Sequence, residues 1–124
     1  MTQPLALAFY ERLMPGSQLV NRLQDLGYRV QHIPDPKIFV ECAECEKPLL
    51  LLVDLEVNNQ NVCEIIAGLK RNQATKHLPI ISFAPDDKTG LQAAALQAGA
   101  TLAVGETVVT SHLAQLLDQA LQVE

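Results

Sequence analysis

Apolar positions fall into short runs of strand length that alternate with stretches spaced like the face of a helix. Leu5 to Tyr10 is the first such run, and Pro15-Gly16-Ser17 then offers a turn and an N-cap before Leu19, Leu23 and Leu26 recur at helical spacing. Gly27 closes that helix. Tyr28 to Ile33 carries β-branched and aromatic residues and is cut by Pro34 and Pro36, which predicts a short strand followed by a loop. A second helix is predicted over Ile38 to Glu46, ended by Lys47-Pro48. Leu49 to Val53 is apolar at every position, the signature of a strand covered on both faces, and is predicted to be central. From Asn59 onward, Val62, Ile65, Ile66 and Leu69 make one helical face that ends at Lys70-Arg71, where cations suit the helix dipole. Pro79 to Phe83 gives the next strand. Asp86 and Asp87 are predicted to cap a helix through Leu91, Ala94, Ala95 and Ala98, which Gly99 stops. Thr101 to Val104 is the last strand, and Ser111 is predicted to cap a final helix through Leu113, Leu116, Leu117, Ala120 and Leu121.

Five β-α units in succession predict an α/β, doubly wound fold: a five-stranded parallel sheet with right-handed crossovers and five helices on its two faces. At 124 residues the chain is one ordinary domain, read as a single unit over 1–124. Composition agrees, with 48% hydrophobic and 19% charged residues and no low-complexity run. No apolar run approaches the ~20 residues that span a bilayer, and Met1-Thr2-Gln3-Pro4 lacks the basic start of a signal peptide. A cytoplasmic, membrane-free protein is therefore expected. Nine Lys and Arg against fourteen Asp and Glu give a net charge of -5, the wrong sign for nucleic-acid binding. The three cysteines Cys42, Cys45 and Cys63 are odd in number, which argues for reduced thiols rather than a disulfide framework.

In a sheet of this kind ligands bind beyond the carboxyl ends of the strands. Attention falls on Tyr10-Glu11, Asp54-Leu55-Glu56, Ala84-Pro85-Asp86 and Gly105-Glu106-Thr107. An aspartate closing a wholly apolar third strand, Leu50-Leu51-Leu52-Val53-Asp54, is the strongest single signal. Together with Gly27-Tyr28 closing the first helix, Leu78-Pro79-Ile80-Ile81 at the fourth strand and Gln97-Ala98-Gly99-Ala100 before the fifth, it resembles the receiver domain of bacterial two-component response regulators. The resemblance spans the whole chain and implies the flavodoxin-like strand order 2-1-3-4-5, with Asp54 at the phosphoacceptor position.

The resemblance also implies a pocket chemistry that this chain keeps only in part. Two acidic places after the first strand, which with the phosphoacceptor would hold magnesium, fall on Tyr10 and Glu11. Glu11 and Asp54 thus remain as weak candidate ligands for Mg2+, while no cofactor is certain. The hydroxyl residue after the fourth strand falls on Ala84, the switch aromatic of the fifth strand on Ala103, the lysine on Glu106 and the proline behind it on Thr107. A phosphoryl group on Asp54 would meet Glu11, Glu56 and Glu106 in place of a cation. The expectation is a degenerate, pseudo-receiver module that stands alone, is not an enzyme and works by protein contact without phosphorylation. Partners implied by the resemblance are a histidine kinase or another two-component protein. A homodimer would use the face formed by Leu91 to Ala98, Thr101 to Val104 and Ser111 to Val123.

The same residues admit other roles. Asp54 could merely cap the loop behind its strand, be a relic phosphoacceptor, or still accept a phosphoryl group. Glu11 and Glu56 read more simply as solvated loop acids than as metal ligands. A small flavodoxin-like enzyme or ligand carrier is the rival from another class, against which stands the lack of a glycine-rich phosphate loop and of any paired nucleophile and base. Cys42-Ala43-Glu44-Cys45 matches C-x-x-C but falls near a helix end, so packing cysteines are expected there rather than a redox or zinc site. His32, His77 and His112 are isolated.

Overall fold

The computed structural model describes residues 5–10, 13–33, 35–46, 48–55, 62–73 and 75–122, without the side chains of 13–17, 36, 63 and 120–122. Five strands, β1 (Leu5–Phe9), β2 (Arg29–His32), β3 (Leu50–Asp54), β4 (Ile80–Ala84) and β5 (Leu102–Gly105), form one sheet in the order β2-β1-β3-β4-β5. Every pairing is parallel. Among the described residues six helices lie between and after them: α1 (Leu13–Asp25), α2 (Pro36–Glu46), α3 (Val62–Arg71), α4 (Thr89–Ala98), α5 (Glu106–Ser111) and α6 (Leu113–Gln122).

Burial on both faces explains why β1, β3 and β4 are apolar without alternation. Leu5, Leu7, Phe9, Leu51, Val53 and Ile80 point to one side, where Phe39 and Ala43 of α2, Ile66 and Leu69 of α3 and Ala95 of α4 cover them. Phe9 and Phe39 meet there as a tilted ring pair, centroids 5.4 Å apart. Ala6, Ala8, Leu50, Leu52, Ile81 and Phe83 point to the other side, against Leu19 and Leu23 of α1, Val109 of α5 and Leu113, Leu116 and Leu117 of α6. The two cores thus follow the period-2 alternation of the strands. Positive φ at Gly27 (94°) and Gly99 (120°) ends α1 and α4 in the left-handed region, as the sequence led one to expect.

Three local expectations are corrected. α1 starts at Leu13, so Pro15 and Gly16 lie inside its first turns rather than in a turn before it. A proline is tolerated in a first turn, because its missing N–H would have had no intrahelical acceptor. Six helices stand where five were expected: the chain turns helical immediately after β5 at Glu106, and Ser111 ends this short α5 instead of capping the last helix. The break falls at His112 (φ -125°), after a run of Thr107, Val108, Val109 and Thr110 whose β-branched side chains are poor helix formers. Finally, α4 has Lys88 at its N-cap without a side-chain cap bond, so neither Asp86 nor Asp87 serves there. Among the described residues no helix is long and apolar enough to cross a membrane.

Candidate functional site

Sheet register places Tyr10, Asp54, Ala84 and Glu106 at or just beyond the carboxyl ends of their strands. Asp54 closes β3 beside Phe83 of β4, and Phe83 in turn pairs with Val104 of β5. Strand alternation sends Asp54 to the same sheet face as Leu50, Leu52 and Phe83, the face of α1, α5 and α6. The side chain has 0% exposure, rare for a carboxylate. Tyr10 follows β1 on the neighbouring strand and is also buried. Ala84 is fully buried at the end of β4, opposite Gly105. Ala103 is half-buried in β5 and packs against the cluster under α2, α3 and α4. Glu106 opens α5 directly behind β5, with its Oε1 shielded from solvent. Glu11 and Glu56 lie outside the described residues.

Tyr10 does more than omit a carboxylate. Its ring stacks on His32 with centroids 3.9 Å apart and planes 14° from parallel, and His32 Nε2 donates to the Tyr10 carbonyl at 2.8 Å. Burial pushes the Tyr10 hydroxyl above its ordinary pKa, so it stays neutral through the physiological range. A neutral, stacked phenol thus occupies a position where the resemblance implies an acid.

On the opposite flank a contact absent from the sequence reading ties two loops together. Asp86 Oδ1 accepts the Thr107 backbone N–H at 3.1 Å, and its Oδ2 accepts a short hydrogen bond from the Thr107 hydroxyl. Asp86 therefore caps the start of α5 from the β4–α4 loop, the role expected of it at α4. Gly105 makes the approach possible, because a Cβ there would stand 2.2 Å from Asp86 Oδ1. The hydroxyl and then the amide of Thr107 hold the Asp86 carboxyl below the usual carboxylate range. Sequence did mark Asp86 as a capping residue, but the helix it serves is set by the adjacency of β4 and β5.

Among the described residues no three His, Cys, Asp or Glu side chains gather as a metal site. The acidic neighbours Glu11 and Glu56, which the sequence offers as further oxygen ligands beside Asp54, are not among those residues. The arrangement offers a buried carboxylate, a Tyr10–His32 stack and a carboxylate-capped α5.

No protein-family model matches the chain, and no curated protein matches it in sequence. Solved structures do match. The receiver domain of a sensor histidine kinase from Pseudomonas aeruginosa PAO1, a structure with magnesium coordinated in its active-site cleft, is 19% identical with a TM-score of 0.85, over 98% of this chain and 99% of that one. A CheY-like response regulator receiver domain protein from Methanospirillum hungatei is 16% identical with a TM-score of 0.82, over 98% and 95%. A chemotaxis response regulator of Vibrio cholerae is 18% identical with a TM-score of 0.77, over 95% and 99%. With its parallel order β2-β1-β3-β4-β5 and its helices on both faces, this chain has the flavodoxin-like fold of response-regulator receiver domains.

Proposed function

We propose that this protein is an atypical receiver of two-component signalling that acts by protein contact rather than by phosphorylation, in the cytoplasm. One observation carries the reading: Asp54 is wholly buried beside Tyr10, while the positions that would hold a phosphoryl group are Ala84 and Glu106. A phosphoryl group brings nearly two negative charges and needs donors and cations around it. Ala84 supplies no hydroxyl, and Glu106 supplies a charge of the wrong sign.

Output then comes from a surface held in one state. The Asp86–Thr107 contact joins the β4–α4 loop to α5 without a phosphoryl group, which supports constitutive docking through α4, β5 and the following helices. Partners would be a histidine kinase, another two-component protein or a second copy of this chain.

Intact-mass measurement after incubation with acetyl phosphate and magnesium tests the reading. The expected result is an unchanged mass. A single phosphoryl adduct that disappears in Asp54→Ala would support the second reading, a receiver that still accepts phosphate at Asp54, for which the strand-end location of Asp54 speaks.

A further inference from the structure

The C-x-x-C spacing lies wholly inside α2, and the two thiols have different surroundings. Cys42 is half-buried and packs on the core beneath α2, whereas Cys45 is exposed; both are free thiols. Packing accounts for Cys42 and gives no account of Cys45.

Helix geometry keeps this pair close. Residues three apart on a helix have Cα atoms roughly 5 Å apart, inside the range a disulfide spans. Their Cβ atoms are about 5–6 Å apart, against about 4 Å in a disulfide, so closure requires the intervening turn to tighten by about 1–2 Å. That turn is able to yield. Cys45 is the penultimate residue of α2, with Pro48 soon behind it, and no further helix has to follow the movement. Cys63 belongs to the helix whose other end meets α2. It stands in the first turn of α3, nine residues before Asn72, whose Nδ2 donates to Glu44 Oε2 at the α2 end. Nine residues of helical chain amount to about 13 Å.

We propose that Cys42 and Cys45 form a reversible thiol–disulfide pair, an oxidation-sensitive site on α2 independent of Asp54. The oxidant is a low-molecular-weight disulfide. The Cys45 thiolate attacks one of its sulfurs, forming a mixed disulfide and expelling one small thiolate. The Cys42 thiolate then attacks the Cys45 sulfur, the second small thiolate leaves, and the Cys42–Cys45 bond is complete. Two electrons pass to the oxidant, and the two protons lost by the cysteines end on the two released thiols. A disulfide that is both exposed and strained is readily reduced again, which makes this pair a switch rather than a staple. Glu44 lies between the two cysteines, so tightening the turn displaces its contact with Asn72 and loosens α2 from the end of α3.

The test treats the reduced full chain with oxidised glutathione and follows intact mass and peptide maps. The parent is expected to lose two hydrogens, with Cys42 and Cys45 joined, and to regain them in excess reduced glutathione. Cys42→Ser is expected to stop at a one-glutathione adduct on Cys45, and Cys63→Ser to behave as the parent. Far-UV circular dichroism confirms that each variant is folded. A parent that accumulates the one-glutathione adduct without closing, that does not react, or that joins Cys45 to Cys63 overturns the proposal.

Discussion

Reversing the charge at Glu106 and restoring a hydroxyl at position 84 should convert this site into one that accepts a phosphoryl group. Asp54 pairs with Phe83 and Phe83 with Val104, so β3 and β5 are two strand spacings apart, about 10 Å. Glu106 follows two residues behind Val104. At that separation and an effective dielectric of about 20, one pair of unit charges interacts by about 1.7 kcal/mol. An aspartyl phosphate with nearly two charges is then repelled by Glu106 by about 3 kcal/mol and attracted by a lysine by as much. Screening at physiological salt, whose Debye length is about 8 Å, cuts this swing of about 6 kcal/mol to roughly 2 kcal/mol, or about 30-fold in the phosphorylated population. Ala84→Ser adds a donor to a charged oxygen, about 1.5–3 kcal/mol, and serine is preferable to threonine because Ala84 is fully buried and a further methyl would overpack the site. The assay is intact mass after acetyl phosphate and magnesium, on parent, each single variant, the double variant and the double variant carrying Asp54→Ala. Expected is no adduct on the parent, one phosphoryl group on the double variant, and its loss when Asp54 is replaced. If a folded Glu106→Lys/Ala84→Ser protein stays unmodified, the charge and hydroxyl at these positions are not what silences Asp54.

Four further outcomes follow. Because the folded-state pKa of Asp86 lies below its ordinary value, the Thr107 contact stabilises the protein above pH 3.8 and is lost as pH falls through the folded pKa; Asp86→Asn should flatten that part of a melting-temperature profile, and an identical profile would refute the cap. Gly105→Ala should displace Asp86 and give the same flattened profile while leaving far-UV circular dichroism unchanged. Gly99→Ala should destabilise by about 1–2 kcal/mol in urea titration, because φ is 120° there and the new Cβ would stand 2.7 Å from Lys70 Cγ. Millimolar magnesium with the parent, compared with EDTA, should move the melting temperature by less than about 1 °C, since Tyr10 stands at one of the two acidic places the resemblance implies and a weakly held ion adds little by mass action.

Much of the architecture was written in local pattern. Leu5–Phe9, Leu50–Asp54 and Ile80–Ala84 are apolar at nearly every place because each strand is sandwiched between two helical layers, and that constraint acts on every residue separately. Such runs, alternating with helical spacing, leave a parallel sheet as the way to bury them all, and Asp54 then stands at a strand end by counting alone. Tertiary structure decided what those positions meet. Asp86 caps α5 and not α4 because Ala84 pairs with Gly105, and a glycine there leaves room for a carboxylate to cross between loops. Tyr10 stacks on His32, a residue 22 positions away, only because β1 and β2 lie side by side. Cys42 packs inward and Cys45 faces solvent although they are three residues apart, since the rotation of α2 on the sheet decides which thiol is covered. Hydrophobic pattern is a property of single positions and is legible one residue at a time. Contacts between side chains distant in sequence depend on register and rotation, which exist only once the layers have packed.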